Sequence, residues 1–385
     1  MKPSNFPFFV LIILSFFLLG NFYVCYRGIQ ALPSNIWIKA SAIVISVFFA
    51  SSYFLSRVLE KTNFQSLHQI TYWVGAVWMA ALLYFFLIVL FIDFVRLVNI
   101  GFHFLPNKNS DNYLIIKHIS LGLAIILVVV MLVYGKWNAA HPKLTRLDLS
   151  VSKYAGAIKE LNIVMVSDIH LGSLFGKEKV QNMVNKVNQL KPDVIILAGD
   201  ILDEAQNPIL RENIGAPLKL LNASLGVFAV TGNHEYIGGI NRAVRYIESL
   251  NIKLLRDTTL FINNSFYLAG REDKDISRFT HNNRKSLEEI LKGTDHHYPL
   301  ILIDHQPFNL NQAVENDVDL QLSGHTHNGQ FWPFNLITKR VYEVSYGYKL
   351  KGNTHVYVSS GYGTWGPPFR IGSVPEFVQI KLKFI

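Results

Sequence analysis

Two histidines, His325 and His327, stand one residue apart between glycines in LSGHTHNGQ, residues 322–330. Such a pair suits a metal-bearing cavity if the rest of the chain supplies partners. Further candidates follow four short apolar runs: Asp168 and His170 after LNIVMVS, Asp200 after DVIILAG, Asn233 and His234 after GVFAVTG, and His305 after YPLILID. Together these are two carboxylates, an amide and up to five imidazoles. Oxygen and imidazole donors without thiolate suit Mn²⁺, Fe or Zn²⁺. Eight candidates exceed what one ion needs. Two ions sharing a carboxylate fit better, with Asp200 as the natural bridge.

Each piece alone has an ordinary structural reading. A histidine after a strand is usually a loop residue, Gly-Asp is common turn chemistry, and Asn233 is a good helix cap. What argues for a site is the recurrence of these residues after one kind of element. The runs are short, rich in β-branched residues and bounded by polar tips, as buried strands are. Between the first two lies KEKVQNMVNKVNQLKP, whose apolar spacing is that of an amphipathic helix ending before Pro192. Strands alternating with helices predict an α/β sheet covered on both faces. In such sheets ligands bind beyond the carboxyl ends of the strands, where every candidate falls.

The set Asp168-x-His170, GDILD (199–203), GNHE (232–235), His305 and GHTH (324–327) resembles the calcineurin-like metallophosphoesterases over about residues 160–385. The tail SSGYGTWGPPFRIGSVPE (359–376) is similar to that of a bacterial, membrane-associated branch, some members of which cleave the pyrophosphate of a UDP-linked diacylglucosamine. The resemblance implies an α/β/β/α sandwich holding two divalent metal ions, Mn, Zn or Fe. It implies that Asp168, His170 and His327 hold the first ion and Asn233, His305 and His325 the second, with Asp200 between them. His234 would contact the phosphate and assist the leaving group, and Asp203 would orient a neighbouring side chain. Arg370 matches an arginine frequent in this tail and either reaches the phosphate or forms a surface ion pair. Asn328 departs from the family's GHTHGGQ, which implies a local backbone effect and no lost ligand. The implied reaction is in-line attack on phosphorus by a hydroxide bridging the two ions. No protein nucleophile is needed, and no G-x-S-x-G elbow is present.

Composition divides the chain. Residues 1–140 contain 9 Lys/Arg and 3 Asp/Glu, and residues 141–385 contain 27 and 24, so the net +9 splits into +6 and +3. The second part is balanced like a soluble domain. Its weak basic excess and lack of a dense basic block argue against long nucleic acid as a partner. The first part holds four apolar runs: between Lys2 and Arg27, Ile36–Ser56, Thr71–Ile92 and His118–Gly135. Each is long enough to cross a bilayer or nearly so. A signal peptide competes for the first, but no small-residue cleavage site follows it. The expected organisation is therefore a four-helix transmembrane region, residues 1–140, followed by a catalytic domain, residues 141–385. Cys25, the single cysteine, forms no internal disulfide and no thiolate metal site.

An even number of spans puts both ends on one side, with Lys2, Arg57, Lys61, Lys136, Lys143 and Arg146. Arg27, Lys39, Arg96, Lys108 and Lys117 fall on the other. This small excess leans toward a cytoplasmic catalytic domain on a bacterial inner membrane. The expected function is a membrane-anchored phosphoesterase acting beside the bilayer on a lipid-bearing or nucleotide-diphosphate substrate. Three alternatives are a phosphodiesterase on soluble nucleotides, a non-catalytic receptor for a phosphorylated ligand, and a transporter with a soluble regulatory domain. Every expected ligand is present, which disfavours the receptor. No set of charged residues lies inside the spans, which disfavours the transporter.

Overall fold

The computed structural model describes residues 6–385 except 61, 63 and 173; the side chains of 6–10, 12 and 13 also lie outside the described set. Lys2 and Lys61, counted above for orientation, are among those not described. The chain divides into two compact units, residues 1–136 with 366–369, and residues 137–365 with 370–385.

The first unit is built from helices α1 (Phe6–Ala31), α2 (Ile36–Leu59), α3 (Gln65–Phe102) and α4 (Asp111–Ala140). Among the described residues, three of them, α2, α3 and α4, are long and apolar enough to cross a membrane. The expected fourth span coincides with α1, part of whose side chains lie outside the described set. The run Thr71–Ile92 is only the middle of α3, which at 38 residues is about 57 Å long. The helix continues past Asp93 because that carboxylate is paired, 2.6 Å from Arg27 and 3.0 Å from Arg96. Small residues let these helices approach closely: a Cβ on Gly75 of α3 would fall 2.5 Å from the Tyr53 nitrogen of α2. A polar tie joins α3 to α1, where Trp78 Nε1 donates to Asn21 Oδ1 at 2.8 Å.

The second unit contains twelve strands among the described residues: β1 (Lys143–Val151), β2 (Glu160–Val166), β3 (Val194–Ala198), β4 (Val227–Val230), β5 (Lys253–Leu254), β6 (Thr258–Ile262), β7 (Phe266–Gly270), β8 (Leu300–Ile303), β9 (Leu320–Ser323), β10 (Gly347–Lys351), β11 (Thr354–Val358) and β12 (Glu376–Phe384). They form two six-stranded sheets, ordered β1-β12-β2-β3-β4-β5 and β10-β11-β9-β8-β7-β6. Strands β2 to β5 run parallel, as do β7, β8, β9 and β11. The last strand, β12, inserts between β1 and β2, parallel to the first and antiparallel to the second.

Alternation along the strands explains the layering. In β2, Ile163 and Met165 face the opposite sheet and pack with Ile301, Ile303, Leu320 and Leu322. Val164 and Val166 face the other way, onto Val180, Met183, Val184 and Val187 of helix Lys177–Gln189. The far face of the second sheet is covered by Leu287, Ile290, Ala313 and Val318. Periodicity predicts an α/β sheet covered on both faces, without saying whether helices or a second sheet cover each face. Each sheet has helices on one face and the other sheet on its second, the α/β/β/α sandwich that the family resemblance implied. A buried strand shows its apolar run but not what lies across from it, so periodicity alone does not separate the two layouts.

The core between the sheets has a testable rigidity. Ile301 is fully buried there. Ile301→Ala is expected to destabilise by about 2–5 kcal/mol through lost burial and an incompletely collapsed cavity, whereas Leu220→Ala on the exposed surface changes stability by less than about 0.5 kcal/mol. Thermal unfolding of the full-length protein in detergent, followed by near-ultraviolet circular dichroism, compares the two.

Candidate active site

Five parallel strands deliver the site at their carboxyl ends. After β2 come Asp168 and His170, after β3 Asp200 and Asp203, and after β4 Asn233 and His234. After β8 comes His305, and after β9 come His325 and His327. The chain bends sharply as it leaves the sheet. Asp168, His170, Asp200, His325 and His327 all have φ between 48° and 73°, a left-handed conformation seldom held by residues with a Cβ. Such residues persist where their surroundings over-determine them, and they concentrate at functional sites. Gly199, at φ 85°, is required for a second reason: a Cβ there would fall 2.5 Å from His305 Nδ1.

The side chains converge into three groups whose donor atoms lie within 4.8 Å of one another: Asp168 with His170 and His327; Asp200 with His305 and His325; and His170 with Asp203 and His234. His170 Nε2 is 3.0 Å from His327 Nε2 and 3.9 Å from Asp200 Oδ2. His327 Nε2 is 3.5 Å from Asp168 Oδ1, and His305 Nε2 is 3.1 Å from Asp200 Oδ2. His305 donates from Nδ1 to the Ala198 carbonyl at 2.7 Å, which turns Nε2 toward the cluster. Asn233 adjoins through the Asp200 carboxylate, which accepts the His234 backbone N–H at 2.9 Å.

The donor set fits a pair of divalent cations. Three of its buried atoms, His170 Nδ1, Asn233 Oδ1 and His305 Nε2, have no hydrogen-bond partner among the described residues, although native interiors rarely leave polar atoms unsatisfied. The His305–Asp200 approach is close enough for an ion pair but not aligned as a hydrogen bond. His327 is placed differently. Arg370 donates to its Nδ1 at 3.1 Å, so the neutral ring carries its proton on Nε2. A cation on Nε2 requires Arg370 to yield that contact.

The electrostatics show the same demand for positive charge. Burial raises the Asp168 carboxyl to about 6, with His305 opposing the rise. Burial also works to raise Asp200, but His305 and His234 outweigh it and hold it well below the usual carboxylate range. Burial works against a proton on His305, yet Asp200 and Asp168 hold it well above the usual imidazole range. His234 is likewise lifted to about 9 against burial, by Asp200 and Asp203. Burial lowers His170 to about 3, reinforced by His234, and lowers His325 to about 3, reinforced by His305. The protein thus compensates its buried carboxylates with protons on two of the five imidazoles. Cation binding at His305, the one of the two that faces the cluster as a ligand, is coupled to release of its proton.

Surrounding residues fix this geometry. Asp203 Oδ1 stands 3.6 Å from His234 Nδ1. The expectation that Arg370 reaches phosphate or forms a surface ion pair is corrected by its placement. It is fully buried, and its N–H groups go to the carbonyls of Ser360, Gly361, Gly363 and His327 and to the His327 ring. Asn328 takes up φ 46° and ψ 40°, a left-handed conformation that asparagine tolerates in place of glycine. Two positioning residues escaped the sequence reading. Glu235 is buried and accepts the backbone N–H groups of Asp200, Leu202 and Gly232 at 3.1, 2.8 and 2.7 Å, tying the β3 and β4 loops together. Gln330 exchanges two hydrogen bonds with the backbone of Trp365, at 2.8 and 2.9 Å. Both close quoted motifs, GNHE and GHTHNGQ, and that position was the only available signal.

The Calcineurin-like phosphoesterase family matches residues 161–329. An uncharacterized metallophosphoesterase of Campylobacter jejuni is 31% identical over 388 residues, covering 98% of this chain and 99% of that one. A transmembrane protein with metallophosphoesterase domain from Bos taurus is 35% identical over 280 residues, covering 68% of this chain and 62% of its own. An uncharacterized metallophosphoesterase of Helicobacter pylori is 35% identical over 245 residues, covering 63% and 64%. The chain thus spans less than two thirds of the length of these last two relatives. By the likeness that runs its full length, this chain belongs to the calcineurin-like metallophosphoesterases. Its apolar helices make it a membrane protein of that family.

Three substitutions separate binding from turnover. Asp200→Asn is expected to weaken both metal sites, and Asp168→Asn chiefly one, as metal analysis after dialysis against graded chelator will show. His234→Ala is expected to keep both ions while turnover falls about 10²–10⁴-fold, the usual range for a positioned proton donor. Loss of an ion in His234→Ala would make His234 a ligand.

Proposed function

We propose that this chain is a membrane-anchored phosphoester hydrolase with two divalent ions, acting on an amphiphilic phosphoester or pyrophosphate at the bilayer surface. The observation that carries the hydrolase reading is the convergence of six Asp and His donors, with Asn233 adjoining, at the ends of five strands. In this reading Asp168, His170 and His327 hold one ion, Asn233, His305 and His325 hold the other, and Asp200 lies between them. The ions supply Lewis acidity toward a phosphoryl oxygen and a water of lowered pKa.

The chain's own residues do the rest. His234, whose proton Asp203 and Asp200 favour against burial, can hydrogen-bond a phosphoryl oxygen and give its proton to the leaving oxygen. Asp203 keeps that ring oriented. Arg370 acts from behind, bracing the His327 carbonyl and the 360–363 loop.

The amphiphilic substrate is supported by the rim. Trp365, 56% exposed, stands with its ring 6.2 Å from that of His234. Helix Phe334–Val341 has no buried residue and exposes Phe334, Leu336, Ile337 and Val341 beside Lys339 and Arg340. Exposed apolar side chains interleaved with cations suit an interface with lipid. A membrane anchor raises the effective concentration of a membrane-borne substrate. A cytoplasmic catalytic domain on a bacterial inner membrane is the orientation that the Lys/Arg distribution supports.

Full-length protein stripped of metal is expected to be inactive on an aryl phosphodiester and to recover with Mn²⁺, Zn²⁺ or Fe²⁺. Full activity with an empty site would end the hydrolase reading. With metal restored, an acylated pyrophosphate in vesicles should be cleaved at least about tenfold faster than a soluble nucleotide diphosphate. Preference for the soluble compound would favour the nucleotide phosphodiesterase instead.

A further inference from the structure

The membrane unit contains a cavity of about 380 Å³ between its helices, within the range of small-molecule sites. Its wall includes Val24, Ile45, Phe49, Trp78, Phe85 and Leu121, a surface for hydrocarbon. Three cations also line it: Arg27 near the end of α1, Arg96 near the end of α3 and Lys117 near the start of α4. In an up-and-down helical run these positions share one side of the membrane, so the charges gather at one end of an apolar cavity.

Among the described residues those charges are not balanced. There Asp93 is the one acidic partner, held by Arg27 at 2.6 Å, Arg96 at 3.0 Å and the Tyr23 hydroxyl at 2.6 Å. Three cations against one carboxylate leave an excess of two positive charges. Among the described residues Lys117 has no ion-pair partner, and the buried Arg27 Nε has no hydrogen-bond partner. Cations near hydrocarbon are costly unless paired, and in membrane proteins they mark functional sites. Asp93 fixes the two guanidinium groups while leaving N–H donors over, which is a prepared anion site. A neutral lipid would fill the apolar part but leave the charge unmet. A free anion would meet the charge but leave the hydrocarbon wall uncovered.

We propose that this cavity binds an anionic phospholipid, its headgroup phosphate at Arg27, Arg96 and Lys117 and one acyl chain along the apolar wall. Basic pockets between membrane helices are suited to phosphate headgroups. The site shares no residue with the metal cluster, so it serves a resident lipid and not the hydrolysed substrate.

Two variants test it without disturbing the Asp93 network. Lys117→Gln removes the unpaired cation. Gly28→Leu fills the cavity from its wall, because a Cβ on Gly28 meets no atom within 4 Å. Full-length protein and both variants are reconstituted in phosphatidylcholine nanodiscs with graded phosphatidylglycerol, and retained lipid is counted by native mass spectrometry after detergent extraction. The wild type is expected to retain one phosphatidylglycerol in preference to phosphatidylcholine. Lys117→Gln should weaken that retention about fivefold, and Gly28→Leu should abolish it. Metal-dependent hydrolysis of a soluble aryl phosphodiester should stay unchanged in both, and an unchanged helical circular-dichroism melt of the full-length variants in detergent excludes misfolding of the membrane unit. Equal retention of the two lipids by the wild type, or unchanged retention in both variants, overturns the proposal. Displacement of the lipid by millimolar inorganic phosphate also overturns it, by showing a simple anion site.

Discussion

The site depends on holding Asp168 and Asp200 ionised where water does not reach. An ionised carboxylate in a dry interior is costly unless positive charge lies close by. The protein meets part of that demand with protons on His305 and His234. A divalent ion meets it more fully, because each carboxylate and neutral imidazole then gains a strong ligand bond. Other features follow from this constraint. Gly199 leaves room for the His305 ring, Glu235 gathers the backbone of two loops around Asp200, and the left-handed residues turn the ligands inward.

The reading from sequence was fullest where chemistry and secondary structure coincide. LNIVMVSDIH and VDLQLSGHTH show their strands by β-branched runs and their sites by the polar tips. Those signals are local, so they survive without a structure. The sheet partners were not legible. Nothing in KLTRLDLSV or EFVQIKLKF says that the two strands pair in parallel, since they stand more than two hundred residues apart. Arg370 shows a second limit. Its sequence context matched a family position, yet a guanidinium can serve phosphate or backbone carbonyls equally well, and only burial distinguishes the two. The exposure of Trp365 and the burial of Tyr362, three residues apart in one Gly-rich tail, were invisible for the same reason.

The two units place different demands on charge. In the catalytic unit, buried carboxylates dominate and call for cations. In the membrane unit, Arg27, Arg96 and Lys117 outnumber Asp93 and call for an anion. Both imbalances are local, and neither appears in the net charge of +9. Helical apolar surface outside such clusters needs no special account, because the bilayer is its solvent.

The most direct test of the dinuclear account is anomalous scattering at the Mn, Fe and Zn absorption edges from crystals of the full-length protein grown with those metals. The account predicts two peaks about 3.5–4 Å apart, one beside Asp168, His170 and His327, the other beside Asn233, His305 and His325, with Asp200 reaching both. A single peak, or one centred on Asp203 and His234, would contradict it.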